Sequence, residues 1–346
     1  MEAATAVLSG PRGEAVIAKK SIFSVMIAAA LVSTGCTDSG PDTDPASTSD
    51  SVPYPDGPVT MTAGADPGSG FDLTIRSVVD ALQTEKIVET ALPVQNRPGG
   101  SGADYLATMV EDHRSADDQL AVTSLSMMVN QVSGVSKYGY DDVTMIARMM
   151  TEYYVVVMRP GSPLTDLRGV MTAVASNPSG VVVGAAHDDE LPFSLLVSAA
   201  GGDPSAVRYV TQEGGREQIA ALLGGEIDVA IGGVSEFVDQ LASGDLDGIG
   251  VLADNRIPGL DVPTARELGF DVTLANWRGL YGPPDMPVDA VEYWRTALGK
   301  MVETPTWKQI AERSKFTTTF MIGDELDTFL AETQKDVETG MKAAPR

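Results

Sequence analysis

Short apolar runs recur along the chain from about residue 57, and most are followed by a loop and then by a stretch with helical spacing. Such runs are typical of buried strands, and the spaced stretches are typical of amphipathic helices. The predicted strands are 59–63, 92–95, 120–124, 153–158, 181–184, 227–231 and 248–253. The predicted helices between them include 72–82, 164–176, 192–200, 217–223 and 236–242. This alternation favours an α/β fold with parallel sheets of the doubly wound kind.

The end of the chain has a different pattern, because three successive stretches have helical spacing. They are 288–302, 305–313 and 325–342. Pro287 and Pro305 stand where a first-turn proline is tolerated, and Trp294 and Trp307 are predicted to lie in the core. No repeat with a period of about 20 to 50 residues is evident, which excludes solenoids and propellers. The coarse prediction is two α/β lobes with a helical C-terminal tail.

The N-terminal residues have the pattern of an export signal. Lys19 and Lys20 precede an uncharged and almost wholly apolar run at 21–32, and small residues then lead to Cys36. The run is shorter than the roughly 20 residues that a membrane-spanning helix needs, so it indicates a signal segment. Cys36 is the only cysteine of the chain and therefore has no disulfide partner within it.

Cys36 stands where a lipid would be attached after signal cleavage. The preceding segment resembles the bacterial lipoprotein processing box, which implies cleavage before Cys36 and lipidation of its thiol. Ser33 departs from that box, which usually has an aliphatic residue there, so a plain signal peptide with an incidental cysteine is the alternative. We predict a signal peptide at 1–36, of which 1–18 are extra sequence ahead of a conventional signal. A flexible tether follows at 37–53, where almost nothing is apolar.

Composition and charge narrow the classes of partner. The hydrophobic content of 43% is enough for two packed lobes. The formal net charge of −24 argues against nucleic acid and anionic membrane surfaces, which both need a basic footprint. A small anionic ligand remains compatible, because local amides and nearby charges govern a site. Neither a GxGxxG nor a GxxxxGK[ST] motif is present, and we predict no cofactor and no metal.

The loop after the first predicted strand suits a carboxylate. Gly68 and Gly70 let a ligand approach the backbone closely, and the amides of the following helix point their partial positive charge into the loop. Gly68, Ser69 and Gly70 are therefore candidate ligand contacts. Ser69 and Asp72 also fit a capping box, which makes a structural role the favoured interpretation of Asp72.

Three other loops follow predicted strands, at whose carboxyl ends open α/β sheets place their ligands. The segment 124–128 offers hydroxyls and amides, and the segment 184–190 does the same in the second half of the chain. His187 in that segment lies beside three acids, so a solvated surface position and a ligand contact are both open. The turn at 96–102 is weaker evidence, because Pro-Gly-Gly serves any tight connection. Arg97 in this turn suits an acidic neighbour as well as a ligand.

Signals for an enzyme are absent from the sequence. There is no GxSxG elbow, no HExxH motif and no pair of cysteines, and neither His113 nor His187 has a diagnostic partner. We therefore predict no catalytic residues. A hydrolase or lyase that uses acidic residues is the remaining enzymatic alternative.

Several segments together resemble a known family. The segments 260–269 (LDVPTARELG) and 274–284 (LANWRGLYGPP) look like the characteristic region of the substrate-binding component of tripartite tricarboxylate transporters, which is one of the extracytoplasmic solute receptors. The most specific part is 276–279 (NWRG). Three further stretches agree in order and spacing: 68–76, 96–102, and Gly214-Gly215 followed by 221–228.

The resemblance implies a two-lobed, type II-like periplasmic-binding-protein fold, in which each lobe is a mainly parallel sheet flanked by helices. Lobe 1 would comprise 57–155 plus 276–346, lobe 2 would comprise 156–275, and the ligand would lie in the cleft between them. The chain would cross between lobes near 155–160 and 274–278. The family's ligand loops map onto 65–70, 124–127 and 184–188. The candidate ligand-binding residues are Ala65, Gly68, Ser69, Gly70, Ser124, Ser126, Met127, Ala185, Ala186 and His187.

The function that the resemblance implies is capture of a tricarboxylate or dicarboxylate outside the cytoplasm. The receptor, anchored to the membrane through Cys36 at the cell surface or in a periplasm, would deliver its ligand to the permease subunits of a secondary transporter. A carboxylate-sensing receptor for a membrane signalling partner is the alternative. The acids at 188–190 depart from the family pattern. Either they point outward or the ligand is not a tricarboxylate.

Overall fold

The computed structural model describes residues 54–212 and 214–343. The predicted signal peptide, Cys36 and the tether at 37–53 lie outside these residues, so export and lipidation stay predictions. Within the described ranges, no helix combines the length and the apolar character that crossing a membrane requires.

Strands and helices alternate through the described residues, as the sequence pattern predicted. The strands are β1 (Thr60–Ala63), β2 (Val94–Asn96), β3 (Gln119–Ser124), β4 (Thr144–Met158), β5 (Val182–Ala185), β6 (Arg208–Thr211), β7 (Val229–Gly233), β8 (Asp247–Val251), β9 (Ala275–Gly282) and β10 (Thr317–Met321). The α-helices are α1 (Gly70–Thr84), α2 (Ala103–Asp112), α3 (Ser126–Ser133), α4 (Leu167–Ser176), α5 (Glu190–Ala199), α6 (Gly215–Gly224), α7 (Val234–Ser243), α8 (Val288–Met301), α9 (Pro305–Ser314) and α10 (Gly323–Ala343). Short 3₁₀ helices cover Gly100–Gly102, Tyr140–Asp142, Pro178–Gly180 and Pro204–Ala206.

The strands follow one another in the order β2-β1-β3-β9-β4-β7-β5-β6, and β8 and β10 also pair with β4. The pairs toward both ends of this order are parallel: β1 with β2 and β3, and β5 with β6 and β7. The antiparallel pairs all include β4 or β9. The prediction of an α/β fold is therefore confirmed, with parallel units joined through two long antiparallel strands.

Strand β4 belongs to two groups of strands. Its residues 144–153 pair with β9 and β10, whereas its residues 154–158 pair with β7 and β8. We call β1–β3, β9, β10 and the first part of β4 the first strand group, and β5–β8 with the last part of β4 the second strand group. The predicted lobe boundaries, 57–155 plus 276–346 and 156–275, stay a prediction.

Two tryptophans hold the C-terminal helices on the first strand group. Trp294 in α8 and Trp307 in α9 are fully buried, as predicted for core residues. Helix α9 begins at Pro305, and the hydroxyl of Thr304 accepts a hydrogen bond of 3.2 Å from the backbone N–H of Trp307. The indole of Trp307 donates to the hydroxyl of Thr318 at 2.9 Å. Burial of about 150–250 Å² by each indole favours this packing by roughly 4–6 kcal/mol before entropy is counted.

Some element predictions were wrong in extent or kind. Ser126 and Met127 lie in the first turn of helix α3 and not in a loop, and Ala185 is the last residue of strand β5. Strands β6, β9 and β10 were not predicted, and β4 begins at Thr144, well before the predicted start at residue 153. The segment 274–278, predicted as a crossing point, includes the start of β9, which is paired with both β3 and β4.

Candidate functional site

The loop between β1 and α1 is organised around Asp72. Its carboxylate accepts hydrogen bonds from the backbone N–H of Gly68 at 2.9 Å, from Arg76 at 2.8 Å and from the amide of Asn96 at 2.9 Å. The hydroxyl of Ser69 accepts from the backbone N–H of Asp72 at 3.3 Å and so caps the helix. Burial acts to raise the pKa of Asp72, but these hydrogen bonds outweigh it and lower the pKa. Asp72 therefore has a structural role, as predicted, although its carboxylate accepts from the N–H of Gly68 and not from that of the N-cap Ser69, as a capping box requires.

The first turn of α1 presents hydrogen-bond donors that this network leaves free. Within the described residues, the backbone N–H groups of Gly70 and Phe71 have no acceptor. Both residues line a small cavity of about 30 Å³, room for about two water molecules. The cavity lies between the two strand groups. Its lining residues are Ala65, Ser69, Gly70, Phe71, Ser101, Ala186, Asp188, Asp189, Gly214, Glu236 and Arg278.

A buried ion pair forms one wall of the cavity. Arg278 in β9 donates from Nε and Nη2 to Oε1 of Glu152 in β4, at 2.8 and 2.6 Å. Glu152 is completely buried and Arg278 is 5% exposed. The other oxygen of Glu152 accepts from the hydroxyl of Ser235 at 2.8 Å. Burial acts to lower the pKa of Arg278, but the negative charges of Glu152 and Glu236 outweigh it and raise the pKa.

Glu236, in the first turn of α7, has backbone partners. Its carboxylate accepts from the N–H of Gly215 at 2.7 Å and from the N–H of Gly233 at 3.3 Å. Burial raises the pKa of Glu236 to about 7, and Glu152 adds to this, whereas Arg278 and the two N–H groups act against it. Glu236 therefore holds a proton at a higher pH than an exposed glutamate does.

Ser101 lines the cavity and has an unpaired hydroxyl. Its backbone is left-handed, with φ 50° and ψ 44°, which is uncommon and costly for a serine. Its Oγ is buried and has no hydrogen-bond partner among the described residues. Asn130 holds the turn, because its side-chain amide donates to the carbonyls of Gly100 at 2.8 Å and Ser101 at 3.4 Å. An ordered hydroxyl is thereby left without a protein partner.

Asp188 and Asp189 reach the cavity from the segment before α5. They are 9% and 7% exposed, and neither carboxylate has a hydrogen bond to another described residue. Burial raises the pKa of Asp189 well above its usual value, and the charges of Asp188 and Glu236 add to this effect. The expectation that these acids could point outward is wrong for both aspartates.

Glycines allow the two strand groups to meet at the cavity. A Cβ on Gly214, before α6, would lie 2.8 Å from Cβ and 2.9 Å from Cα of Ser69. A Cβ on Gly70 would lie 2.3 Å from Nη2 of Arg278. A side chain at position 214 would therefore force the two strand groups apart, and one at position 70 would displace the guanidinium of Arg278. Since the cavity is too small for a six-carbon acid, entry of such a solute requires these walls to separate.

The structure brings some of the predicted ligand residues together and leaves others apart. Ala65, Ser69, Gly70 and Ala186 line the cavity. Ser126 and Met127 line a smaller neighbouring cavity that shares Phe71 and Ser101 with it. The remaining predicted residues, Gly68, Ser124, Ala185 and His187, line neither cavity. Their predicted ligand contacts, like those of the lining residues, stay predictions.

The residues outside the cavities have other neighbours. Gly68 lies against the side chain of Arg216, and Ser124 accepts from the backbone N–H of Ser126 at 3.0 Å. His187 is partly buried. Arg97 donates to Gln95 at 3.3 Å and does not line the cavity.

Four residues at the cavity were not predicted as site residues: Ser101, Glu152, Glu236 and Arg278. One signal could have found Arg278, because it lies in 276–279, the segment that carries the family resemblance most specifically. The position of Glu152 and Glu236 depends on the pairing of β4 with β9 and β7. No local pattern shows that pairing.

Comparisons with known proteins agree on family and fold. The TctC model, described as the tripartite tricarboxylate transporter family receptor, matches residues 75–343. The UPF0065 protein in the gbd 5' region of Cupriavidus necator is 21% identical over 286 residues, which are 82% of this chain and 86% of that protein.

Two solved structures have a closely similar fold. The periplasmic binding protein BugD gives a TM-score of 0.78 at 17% identity and covers 84% of this chain and 98% of its own. MatC of Rhodopseudomonas palustris with bound malate gives a TM-score of 0.74 at 20% identity, over 83% of this chain and 99% of its own. The predicted periplasmic-binding-protein fold is confirmed.

Proposed function

Because the chain belongs to the tripartite tricarboxylate transporter receptor family, we propose that it captures a small carboxylate outside the cytoplasm and delivers it to the permease of a secondary transporter. The family match is to receptors, which supports binding without turnover. MatC, a relative in fold, holds malate. For this proposal we take the lobes as 57–155 plus 276–346 and 156–275, with the cavity at the cleft between them. Lipid attachment at Cys36 stays a prediction.

The observation that carries the proposal is the set of unused donors at one wall of the cavity. The N–H groups of Gly70 and Phe71 lie at the positive end of α1, and Ser101, whose hydroxyl is unpaired, lines the same space. A carboxylate accepts hydrogen bonds from such donors readily, and the helix terminus favours its charge by about 0.3–2 kcal/mol. Arg278 adds a buried positive charge nearby.

Thermal-shift measurements on the purified protein test this proposal. We expect one or more small mono-, di- or tricarboxylates to raise the melting temperature, because a ligand at 100 times its Kd stabilises the folded state by about 2.7 kcal/mol. Sugars and uncharged amides of the same size serve as controls. If no carboxylate shifts the melting temperature while another class of metabolite does, the proposal is wrong.

The variant Ser101→Ala makes the test specific to the site. A hydrogen bond to a charged group is worth about 1.5–3 kcal/mol, so loss of the hydroxyl should weaken carboxylate binding roughly 10- to 100-fold. The unfolding free energy should stay the same or rise slightly, because the hydroxyl has no protein partner. Ser115→Ala is the matched control, since Ser115 is also left-handed, with φ 62°, but is exposed and does not line the cavity. Equal effects of the two variants on affinity would remove Ser101 from the site.

Closure of the cleft around the solute is the mechanism we propose. A solute that touches both walls stabilises the closed form by its differential affinity for that form, which the permease would recognise. The loops that carry Ser69 and Gly214 are in close contact. This contact would form when the cleft closes on a solute, so the permease could recognise the closed form by it.

The variant Gly214→Ala is expected to oppose closure. Gly214 has an extended backbone with φ 173°, so alanine is tolerated in the open form, but its Cβ would overlap Ser69 in the closed form. We expect at least a tenfold loss of carboxylate affinity, measured by calorimetry, with little change in the unfolding midpoint. In Gly224→Ala the new methyl group has open space around it, and binding should be unchanged. Wild-type affinity in Gly214→Ala would contradict closure at this contact.

A further inference from the structure

The two walls of the cavity have opposite chemical character. One wall carries the free N–H groups of α1 and the Ser101 hydroxyl, which are donors. The other carries the carboxylates of Asp188 and Asp189, which only accept when ionised. A solute that is purely anionic would satisfy the first wall and be repelled by the second.

The charges at the cavity do not cancel within the protein. Arg278 is matched by Glu152, with which it forms two short hydrogen bonds. Glu236 is held by two backbone N–H groups. Asp188 and Asp189 are left: they are adjacent in sequence and more than nine-tenths buried, and neither carboxylate has a hydrogen bond among the described residues. Two like charges in one buried place are unfavourable unless an opposite charge joins them.

Resting on the proposed function, we infer that the solute is zwitterionic and that Asp188 and Asp189 receive a positively charged amino group that it carries beside its carboxylate. The carboxylate would bind the N–H groups of Gly70 and Phe71 and the hydroxyl of Ser101. An organic cation suits this pair better than a metal ion, because in the described ranges no three acidic, histidine or cysteine side chains are placed to hold a metal.

Protonation of Asp189 is the alternative to an amino group of the solute, because it would also remove the repulsion between the two aspartates. The groups that act on Asp189 are Asp188 beside it, Glu236 from α7, Glu152 from β4 and Arg278 from β9. Asp188, Glu236 and Glu152 favour protonation of Asp189, and Arg278 opposes it. Tyr154 in β4 also lies near, and Asp189 raises the pKa of its phenol. A protonated Asp189 could donate to a plain carboxylate. However, a plain carboxylate needs no hydrogen bond from a protonated aspartate, because the N–H groups of α1 and the Ser101 hydroxyl are donors for it.

Pairs of solutes with the same carbon skeleton test the inference. Aspartate is compared with succinate, and glutamate with glutarate, by calorimetry on the purified protein at pH 7.5. We expect the amino form of at least one pair to bind at least tenfold more tightly. In the Asp188→Asn/Asp189→Asn variant this preference should disappear, because the amino group loses its two carboxylates while the donors for the solute carboxylate remain.

Two control measurements accompany this test. The variant Asp112→Asn/Asp239→Asn removes two exposed charges elsewhere and should keep the wild-type preference. The melting temperature of each variant without solute establishes that it is folded. For Asp188→Asn/Asp189→Asn that temperature should not fall, since a buried repulsion is removed.

The outcomes separate this inference from the proposed function. Tighter binding of succinate or glutarate at pH 7.5, strengthening as the pH is lowered to 5, would support the proton and overturn the inference alone. The proposed function would survive that result. Absence of binding by every amino and plain carboxylate would overturn both.

Discussion

Replacement of Arg278 by methionine is expected to lower the unfolding free energy by about 3–5 kcal/mol, because it leaves a buried carboxylate without its counter-charge. Glu152 is completely buried and receives two of its hydrogen bonds from Arg278. Methionine fills much of the space of the arginine stem but cannot donate. Glu236 also loses the charge that holds down its pKa. Denaturant unfolding followed by circular dichroism measures the loss.

The double variant Glu152→Gln/Arg278→Met distinguishes lost charge balance from lost packing. It removes both charges, keeps an acceptor for Ser235, and is expected to recover most of the stability. Arg114 forms an exposed ion pair with Asp285, so Arg114→Met should cost less than about 1 kcal/mol. The Cζ atom of Arg278 lies 5.2 Å from the centre of the Phe71 ring. A double variant no more stable than Arg278→Met would show that packing of this kind matters more than the charge of the arginine.

The same buried pair explains why the sequence predicted the parallel parts of the fold better than its centre. Strands β1, β3 and β5 are short, mainly apolar runs that end in Ala or Ser, so their pattern alone identifies them. Strand β9 is buried on both faces yet contains Asn276 and Arg278, and its sequence therefore has neither a continuous apolar run nor an alternation. Arg278 is tolerated there because Glu152, 126 residues earlier, lies on the paired strand.

The other missed elements have simpler causes. Strands β6 and β10 are short and largely exposed or half-exposed, so packing imposes little pattern on them. Helix α3 has only eight residues, and its first residues, Ser126 and Met127, were taken for a loop because they directly follow Ser124, the last residue of strand β3. Short elements of this kind depend on their neighbours more than on local preference.

The candidate site also contains residues that the sequence predicts and residues that only the fold reveals. Ala65, Ser69, Gly70 and Ala186 were found because they follow strands at the edge of the sheet where parallel strands end, and that rule needs only the sequence. Ser101 was not singled out because its importance comes from a left-handed backbone and an unpaired hydroxyl. The acids at 188–189 were noticed, but only the fold determines whether they face the cavity or the solvent.

Stability is expected to fall as the pH rises from about 4.5 to about 7, because Glu236 takes up protons more readily in the folded state. Its pKa is about 7 when folded, against a usual value of 4.5. In this window the folded protein binds more protons than the unfolded chain, so the unfolding free energy decreases with pH and then levels off. At 1.36 kcal/mol per pKa unit the contribution of Glu236 is at most about 3 kcal/mol, and Asp189, whose pKa is also raised, acts in the same direction.

The variant Glu236→Gln isolates this contribution from the repulsion within a chain of net charge −24. Glutamine cannot accept from both Gly215 and Gly233, so the variant should be less stable than the wild type at pH 5, where wild-type Glu236 is neutral. At pH 8 the wild type must keep an ionised Glu236 beside Glu152, and the difference should shrink or reverse. Glu217→Gln, an exposed change on α6, should leave the wild-type slope intact. Parallel pH profiles of wild type and Glu236→Gln would instead assign the whole slope to charges elsewhere, because only a titrating Glu236 makes the two curves converge.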